Sequence, residues 1–579
     1  MCGITLYYGK PSANPIEAMT GILSHRGPDK QSVYIGTQAS LGSARLSIND
    51  LSNGSMPMFN EDKTLVVVHN GEIYNAPSLR RELQKRGHNF SSTSDTEVLV
   101  HGFEEYGQDL VRHIQGIFAF IVYDSKTENV FAARDPIGVK PLYVYHDGYD
   151  LFLASEVKSI LQSGRIRPRI NHDFLAERYV FGHPISFSSI IEGVNQVPPG
   201  HIFKYDGKSQ PSLVRYYSEE FLRDKKDLSQ VVNEAMRLLP ETIDKQLLAD
   251  VPVGLLLSGG IDSCGLAFLL ARMQNHRFQT FSISDDTNHE ELVYARKMAE
   301  HANTEHDEII ALHQEGVEAL PRYLWALEDI DYNHMMLYLL GHHMKGRVKS
   351  VLSGHGADEL FLGYGMYRQV AEYSASIQRR LENLHRHHPE FVSHKLNEVF
   401  TEYFKNPDIH RMIRFNQNIE LPNDNLNLVD RLFMAHGIEV RVPYLDIDMV
   451  AFANGIPVDY CLSGDVDKII LRKALAELGL PPEFVNRPKQ MAGRKTIPNI
   501  MSAIEEFAEG VVPESYVQSH PLRTLLDYDD LMLAFEGNPA NSSRKKLKSY
   551  ILSFELVRHI FIDNMGKEPG IIQLRELFD

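Results

Sequence analysis

The stretch VGLLLSGGIDS, residues 253–263, decides how the second half of this chain folds. It predicts an apolar strand, a Ser-Gly-Gly loop and then a helix that begins near Ile261. Bare glycine backbone at a helix N-terminus binds anions, because its N–H groups point outward and the helix dipole favours negative charge. Ser258 and Ser263 add hydroxyl donors, and Asp262 could hold Mg²⁺ on bound phosphates. The stretch is not a Walker A loop, since GxxxxGK[ST] is absent, and a tight turn without a ligand is the alternative.

Two later segments favour a doubly wound nucleotide-binding sheet around this loop. Residues 280–284 (TFSIS) predict a strand that would present Ile283 near an adenine edge. Residues 348–352 predict another, followed by SGHGADELFLGY at 353–364, and ligands of open α/β sheets bind at such strand ends. Asp358 in this block is the natural second Mg²⁺ ligand opposite Asp262. Further on, Lys489 could neutralise charge on pyrophosphate, although a solvated surface lysine is the other interpretation.

The chain begins Met-Cys-Gly-Ile, which makes Cys2 a candidate nucleophile. Removal of Met1 would give Cys2 a free α-amine with a pKa of about 8, so part of it is neutral at neutral pH and can take the thiol proton. One residue would then supply both nucleophile and base. Position alone also allows a cysteine without any role.

A thiol that attacks an amide needs partners, and polar clusters between the early strands offer them. Asn70 and the Gly71 N–H could form an oxyanion hole. Arg45 could clamp a substrate carboxylate, and Asp95 could hold a substrate amine. Taken singly, Asn70-Gly71 is typical of a hairpin turn, and Arg45 and Asp95 could simply be solvated.

Periodicity and turn residues divide the chain in two. Alternating apolar segments predict strands at 4–8, 32–36, 65–69, 117–123 and 129–133, and helices at 79–86 and 96–106. Turn-formers cluster from 197 to 211. We therefore expect a first domain over 1–205, a linker over 206–225 and a second domain over 226–579, in which helices alternate with short strands as in a parallel α/β sheet. We assign no chemistry to the tail from about 510.

Composition limits the function classes. The net charge of −17 argues against nonspecific binding to nucleic acid or acidic membranes. Only three cysteines occur in 579 residues, too few for a disulfide framework and without zinc-finger spacing. There is no apolar run of 18 residues and no signal-peptide pattern, so we expect a cytoplasmic protein.

Six motifs in the first half occur in the order and rough spacing of a known family: CGI (2–4), HRGPD (25–29), ARLSI (44–48), NGEIYN (70–75), TSDTE (93–97) and ARDPIGVKPLY (133–143). This half resembles the class II glutamine amidotransferase domain of the N-terminal-nucleophile type. The resemblance implies a four-layer αββα sandwich that hydrolyses glutamine to glutamate and ammonia. It also implies a nucleophile (Cys2), a grip on the glutamine α-carboxylate (Arg45), an oxyanion hole (Asn70, Gly71) and residues on the amine side (Glu72, Asp95).

The SGGIDS loop resembles the pyrophosphate loop of N-type ATP pyrophosphatases. With MAHGIEVRVPYLD (434–446) and RPKQ (487–490), the whole chain resembles the glutamine-hydrolysing asparagine synthetases. This implies that ATP and Mg²⁺ activate aspartate as β-aspartyl-AMP, and that ammonia arrives through an internal, largely apolar channel. The resemblance also allows a homodimer and implies a doubly wound synthetase domain with a helical C-terminal part. The implied ATP-binding residues are Leu257, Ser258, Gly259, Gly260, Asp262, Ser263, Ile283, Ser353 and Gly354, the metal ligands are Asp262 and Asp358, and catalysis in this half involves His355 and Lys489.

One position departs from the family. Between the glycines of SGxGxDE the family usually has an acid, implicated at the aspartyl-adenylate, whereas this chain has His355. A histidine can still act as a base near pH 7, but the charge that the substrate meets is different. β-Lactam synthetase, on the same scaffold, also lacks this acid, but it lacks the Cys2 glutaminase as well. Free aspartate and another carboxylate, on a peptide or natural-product precursor, therefore both stay open.

Other enzyme classes fit less well. A pure glutaminase or glutamine sensor would not need SGGIDS with two separated aspartates. A sugar-phosphate or phosphoribosyl amidotransferase would share the first half but carry no pyrophosphate loop in the second.

Overall fold

Antiparallel sheets build the first part of the chain and a parallel sheet builds the second. The computed structural model describes residues 2–10, 15–221, 227–274, 276–488, 498–520, 539–570, 572 and 577–578. Over these ranges the strands are β1 (Cys2–Tyr8), β2 (Lys30–Ile35), β3 (Ala39–Arg45), β4 (Met58–Phe59), β5 (Leu65–Ile73), β6 (Gly116–Asp124), β7 (Asn129–Arg134), β8 (Tyr143–His146), β9 (Leu151–Ala154), β10 (Asn195–Gln196), β11 (His201–Tyr205), β12 (Ser212–Arg215), β13 (Val253–Leu256), β14 (Gln279–Ser284), β15 (Glu305–Ile310), β16 (Ser350–Leu352) and β17 (Glu439–Arg441).

Helices surround these sheets. The α-helices over the same ranges are α1 (Ile16–Gly21), α2 (Ala76–Lys85), α3 (Glu97–Tyr106), α4 (Val157–Leu161), α5 (His172–Phe181), α6 (Leu228–Lys245), α7 (Ile261–Met273), α8 (Glu290–His301), α9 (His313–Leu327), α10 (Met335–Met344), α11 (Ala357–Phe361), α12 (Val370–His387), α13 (His394–Val399), α14 (Ile409–Phe415), α15 (Leu426–Met434), α16 (Ile447–Asn454), α17 (Val458–Cys461), α18 (Ile469–Glu477), α19 (Pro482–Val485), α20 (Pro498–Val511), α21 (Glu514–Ser519) and α22 (Pro539–Val557). Short 3-10 helices lie at Gly107–Arg112, Gly365–Tyr367, Pro389–Phe391 and Pro443–Leu445, and π-helical turns at Phe400–Phe404, Asn416–Asn425 and Arg558–Asp563.

The first part is a four-layer sandwich. One six-stranded sheet has the order β10-β8-β9-β1-β3-β2 and the other the order β12-β11-β7-β6-β5-β4. β5 faces β1 and β3 across the middle, while α1 and α4 cover the first sheet and α2 and α3 the second. β1, β3 and β5 are buried along their whole length, as expected for strands in the interior of stacked sheets, although the C-terminal half of β5 carries the polar residues His69, Asn70 and Glu72. The predicted αββα architecture is confirmed.

The second part is a five-stranded parallel sheet of order β15-β14-β13-β16-β17. From β13 the chain continues outward to β14 and β15, and then returns to place β16 on the other side of β13. The strand order therefore reverses between β13 and β16, and crevices at such switch points bind ligands in open α/β folds. The predicted doubly wound domain, with helices filling the C-terminal part, is confirmed.

Most predicted elements occur within a few residues of their expected bounds, but Asn70-Gly71 does not form the hairpin turn that the dipeptide alone suggests. Both residues lie inside β5, paired with β6. In the range that we predicted as a linker, β12 pairs with β11 as an edge strand of the second antiparallel sheet. Among the described residues, no helix has the length and apolar character needed to cross a membrane.

Candidate active sites

The Cys2 site lies where the two antiparallel sheets face each other. Cys2 is the first residue of β1 and is directly paired with Arg45, the last residue of β3. The Cys2 backbone nitrogen donates to Asn70 Oδ1 at 3.2 Å. Burial raises the pKa of the Cys2 thiol, so the sulfur is a thiol at rest and needs a base beside it to react.

Asn70 and Gly71 present donors next to Cys2. Asn70 uses its oxygen to accept from Cys2, and its buried Nδ2 has no hydrogen-bond partner among the described residues. A buried amide donor without a partner is costly unless a ligand completes it. Gly71 has φ +141°, and a Cβ there would lie 2.0 Å from the Ile117 carbonyl oxygen. Only glycine therefore fits at this point of β5.

The other predicted glutamine-binding residues surround the same space. Arg45 Nη2 donates to the backbone oxygens of Asn49 at 2.9 Å and Asp50 at 2.6 Å, which fixes its guanidinium. Asp95 Oδ2 accepts from the Ile73 N–H at 2.9 Å, which ties Asp95 to the end of β5.

Glu72 follows Gly71 and is fully buried. It accepts from Asn49 Nδ2 and lies 3.3 Å from Arg441 Nη2 on β17, in the other half of the chain. Burial, reinforced by the nearby Asp95 carboxylate, raises the pKa of Glu72 well above its ordinary value. The structure thus brings together all five residues predicted for the glutamine site with Cys2.

The SGGIDS loop lies at the switch point, between the end of β13 and the start of α7. Gly259 has φ +75°, and a Cβ there would approach the Glu291 carbonyl oxygen to 2.4 Å, so the turn requires glycine. The Ser258 backbone N–H donates to Ser263 Oγ at 3.1 Å, and the two hydroxyls lie 3.1 Å apart. These contacts close the loop over the first turn of α7 and leave Ser258 exposed and Gly260 half-buried.

The second predicted block packs against this loop. Gly354, just after β16, is so close to α7 that a Cβ would lie 3.0 Å from Asp262 Cβ. Ser353 precedes it at the strand end, and Ile283 lies near the end of β14, two strands away from β16. The predicted nucleotide-binding residues therefore occupy the ends of three adjacent parallel strands.

Lys468 lies between the two predicted metal ligands. Its Nζ is 2.5 Å from Asp262 Oδ2 and 2.6 Å from Asp358 Oδ1, and the lysine side chain is almost fully buried. The two carboxylates keep the pKa of Lys468 above its ordinary value despite the effect of burial. Gly363 provides the space, since a Cβ there would lie 1.9 Å from Asp358 Oδ1 and 2.2 Å from Lys468 Cε.

Our sequence analysis did not single out Lys468. The residue precedes α18 with φ 50°, in the left-handed region. A lysine at a helix N-terminus opposes the helix dipole, and this anomaly is the one signal that could have indicated a role. Lys489, which we predicted instead, lies outside the described residues.

Asp262 and Asp358 suit a magnesium ion. Carboxylate oxygens are the protein ligands that Mg²⁺ prefers, usually one or two of them together with substrate phosphates. The two side chains converge from α7 and α11 on a single cation, the Lys468 ammonium. Two carboxylates that face the same positive charge are the kind of ligand pair that the resemblance implies for Mg²⁺.

His355 follows Gly354 and is half-buried. Its Nδ1 lies 2.5 Å from Ser353 Oγ. Burial lowers the pKa of His355 to about 4. The imidazole is therefore neutral near pH 7, where an acid at the same position would be an anion.

Buried charges join the Cys2 site to the second half of the chain. Arg26 pairs with Glu156 at 2.9 Å and with Asp430 at 2.8 Å, and its Nε donates to the Cys2 backbone oxygen at 3.3 Å. Arg441 pairs with Glu439 and Glu72 and donates to two backbone oxygens before α7, those of Gln246 at 2.7 Å and Leu248 at 2.9 Å. Each arginine therefore contacts one site and the opposite half of the chain.

Further pairs extend this interface. Glu328, after α9, accepts from the Val157 and Lys158 backbone N–H groups at 2.9 and 2.7 Å. It also pairs with Lys158 Nζ at 3.0 Å and with Arg431 at 2.9 Å. Because these charges are desolvated, each depends on its partners in the other half.

An N-terminal-nucleophile sandwich followed by a switch-point ATP-pyrophosphatase loop defines a class of two-site amidotransferases. The profile described as "Glutamine amidotransferase domain" matches residues 1–217, and the one described as "Asparagine synthase" matches residues 234–558. The chain belongs to the asparagine synthase family, whose glutamine-hydrolysing synthetases are carbon–nitrogen ligases.

Named relatives align over most of the chain. Asparagine synthetase [glutamine-hydrolyzing] 3 of Bacillus subtilis (strain 168) is 29% identical and covers 93% of this chain and 94% of that protein. Asparagine synthetase [glutamine-hydrolyzing] 1 of the same organism is 27% identical, with 96% of each covered. A probable asparagine synthetase [glutamine-hydrolyzing] of Dictyostelium discoideum is 30% identical over 79% of this chain and 76% of its own length.

Proposed function

We propose that this enzyme makes L-asparagine from L-aspartate, L-glutamine, ATP and water, and releases L-glutamate, AMP and diphosphate. The observation that carries the proposal is the convergence of Asp262, Asp358 and Lys468 beside the SGGIDS loop. A glutaminase alone would have no use for a buried cationic and acidic centre at the switch point of a second domain.

In the first half, the Cys2 thiol is proposed to attack the glutamine carboxamide. The free α-amine of the processed chain takes the thiol proton and later delivers it to the leaving ammonia. Asn70 Nδ2 and the Gly71 N–H stabilise the negative oxygen of the tetrahedral intermediate. Water then hydrolyses the thioester and glutamate leaves. Arg45 and Asp95 hold the glutamine α-carboxylate and α-amine, which orients the carboxamide for attack by the sulfur.

In the second half, a carboxylate oxygen of the acid attacks the α-phosphorus of ATP and diphosphate leaves. The loop N–H groups and the Ser258 and Ser263 hydroxyls hold the phosphates. Lys468 neutralises the negative charge that develops there, a role in which Lys489 is a second candidate. Mg²⁺ held by Asp262 and Asp358 would neutralise further phosphate charge.

Ammonia is proposed to reach the adenylate through the interior, without entering bulk water. Neutral NH₃ is the nucleophile, and solvent would protonate and dilute it. It attacks the acyl carbon of the adenylate, AMP leaves, and one proton is lost from the new amide nitrogen. His355 is proposed to receive that proton as a neutral base.

His355 also favours a second candidate for the amidated acid. A neutral imidazole in place of an anion removes one repulsive charge that a second carboxylate of the substrate would meet. The same machinery would then amidate a different acid, such as one on a peptide or natural-product precursor.

The decisive experiment measures diphosphate release from the purified enzyme with ATP, Mg²⁺ and a panel of acids. We expect aspartate to stimulate release well above the rate without an acid, and asparagine to form when glutamine is added. If another carboxylate stimulates release and aspartate does not, the asparagine proposal fails and the second candidate replaces it. If no acid stimulates release although glutamine is hydrolysed, both fail.

A further inference from the structure

A cluster of histidine and glutamate side chains on the outer helical layer of the first half is not used by the proposed function. Glu61 in the turn after β4, His88 after α2, and His101 and Glu104 on α3 offer ligand atoms that all lie within 4.8 Å of one another. From this geometry we propose that the cluster is a zinc-class metal site. The proposal does not depend on the function proposed above.

His101 provides the main evidence. Its side chain is 1% exposed, and neither ring nitrogen makes a hydrogen bond of good geometry among the described residues, although each faces a carboxylate. Its Nδ1 is aimed into the cluster, 3.2 Å from Glu61 Oε2. An imidazole this deeply buried is costly without well-oriented partners, and a metal ion in the cluster would give Nδ1 such a partner.

The separations suit tetrahedral coordination. Zinc binds imidazole nitrogen and carboxylate oxygen at about 2.1 Å, so adjacent ligands in a tetrahedron lie about 3.4 Å apart. Glu61 Oε2 is 3.2 Å from His101 Nδ1 and Glu61 Oε1 is 3.4 Å from His88 Nδ1, so the carboxylate lies between the two imidazoles. Glu104 is one helical turn from His101 on the same face of α3. Two imidazoles among four ligands favour zinc over Mg²⁺ or Ca²⁺, which prefer oxygen donors.

Each histidine also has a second carboxylate behind it. His101 Nε2 faces Glu97 at 3.7 Å, and His88 Nε2 faces Glu105 at 3.5 Å. A carboxylate behind a ligating imidazole is the usual outer partner at zinc sites, where it fixes the tautomer and the ring orientation. Glu97 is itself rigid, because the N–H and hydroxyl groups of Ser91 and Ser92 donate to it at 2.6–2.8 Å.

The position of the site suggests what a bound ion would do. Glu97 fixes the loop that precedes α3, and this loop carries Asp95 to the end of β5. A metal ion would join that loop and α3 to the turn after β4. We therefore expect zinc to stabilise the first half of the chain rather than take part in chemistry.

The test is a zinc titration of the full-length, metal-stripped protein against a chromophoric chelator, with Co²⁺ absorption as a second readout. We expect about one equivalent to bind and to produce the visible bands of a tetrahedral site. Zinc should also raise the thermal unfolding midpoint by a few degrees, since a ligand that binds only the folded state stabilises it. His101→Gln and Glu104→Gln should each weaken binding at least tenfold.

His387→Gln is the matched control, because His387 is exposed at the end of α12, and it should bind zinc like the parent. Glu104 is exposed, so Glu104→Gln keeps the test valid even if His101→Gln unfolds. No binding, or binding that Glu104→Gln and a folded His101→Gln leave unchanged, would overturn the proposal and leave the histidines as members of an ordinary ion-pair cluster.

Discussion

At the scale of single residues, the first half depends on a few groups whose roles follow from what they leave unsatisfied. Asn70 Oδ1 accepts a hydrogen bond from the Cys2 nitrogen, and the buried Asn70 Nδ2, which has no partner among the described residues, is the donor proposed to bind the substrate. Gly71 is bare because a Cβ has no room. Cys2 itself is buried with a raised pKa, which is why the proposed reaction assigns the base role to the α-amine of the same residue.

Replacing Cys2 tests whether glutamine hydrolysis and amidation take place at separate sites. Cys2→Ala should reduce glutamine-dependent amidation to background, because no thioester can form, and leave ammonia-dependent amidation within about twofold of the parent. The measurement is amide product formed with each nitrogen donor.

Cys461→Ala is the matched control for loss of a buried thiol outside both sites, and it should keep both activities. Loss of the ammonia-dependent reaction in a folded Cys2→Ala would contradict a two-site enzyme.

At the scale of elements, the synthetase site is made where α7, α11 and the start of α18 meet. The first two were predictable, because strand–glycine–helix patterns are local and appear in the sequence as SGGIDS and SGHGADE. Lys468 was not, because it is 206 residues from Asp262 along the chain and its only local signal is a lysine at the start of a helix, which does not indicate a partner. The glutamine-site residues were predictable as a set only because six motifs occur in one order. Their contact with β17 through Arg441 depends on how the two halves pack, which no local pattern encodes.

Removing the lysine at this junction should separate the two activities. Lys468→Ala should reduce acid-dependent diphosphate release by about 10²-fold or more, because the variant lacks the buried positive charge proposed to stabilise negative charge on the phosphates. Glutamine hydrolysis without ATP should persist. Lys473→Ala, on the exposed face of the same helix, should change neither.

Folding of Lys468→Ala is checked by its thermal midpoint with Mg²⁺ added, because the ion can compensate for the missing cation between Asp262 and Asp358. Diphosphate release near the parent rate would show that Lys468 has only a structural role as the partner of Asp262 and Asp358.

At the scale of the whole molecule, the main feature is the buried interface between the two halves of the chain. Apolar side chains of both halves form one continuous core, and Arg26 and Arg441 cross it with their charges paired on both sides. Arg441 links Glu72, beside the oxyanion donors, to the last strand of the parallel sheet. This arrangement gives the two sites a rigid common boundary through which ammonia is proposed to pass.

Weakening this interface should uncouple glutamine hydrolysis from amide formation. Arg441→Lys keeps the charge but loses the planar fork that serves Glu72, Glu439 and two backbone oxygens at once. We expect the ratio of glutamate to amide product to rise severalfold over a parent value of about one, with each half-reaction still measurable alone. Arg237→Lys, on the exposed face of α6, is the control. An unchanged ratio in a folded Arg441→Lys would show that Arg441 does not couple the sites.

The buried pairs around Glu328 have a consequence for how such enzymes can evolve. Glu328 satisfies two backbone groups and two cations from both halves, so neither half presents a finished surface by itself. A chimera that joins the first half of this chain to the second half of a distant relative inherits mismatched buried charges. Gene fusion and recombination should therefore exchange the two halves as a unit, and drift at one side of the interface should be followed by compensating change at the other.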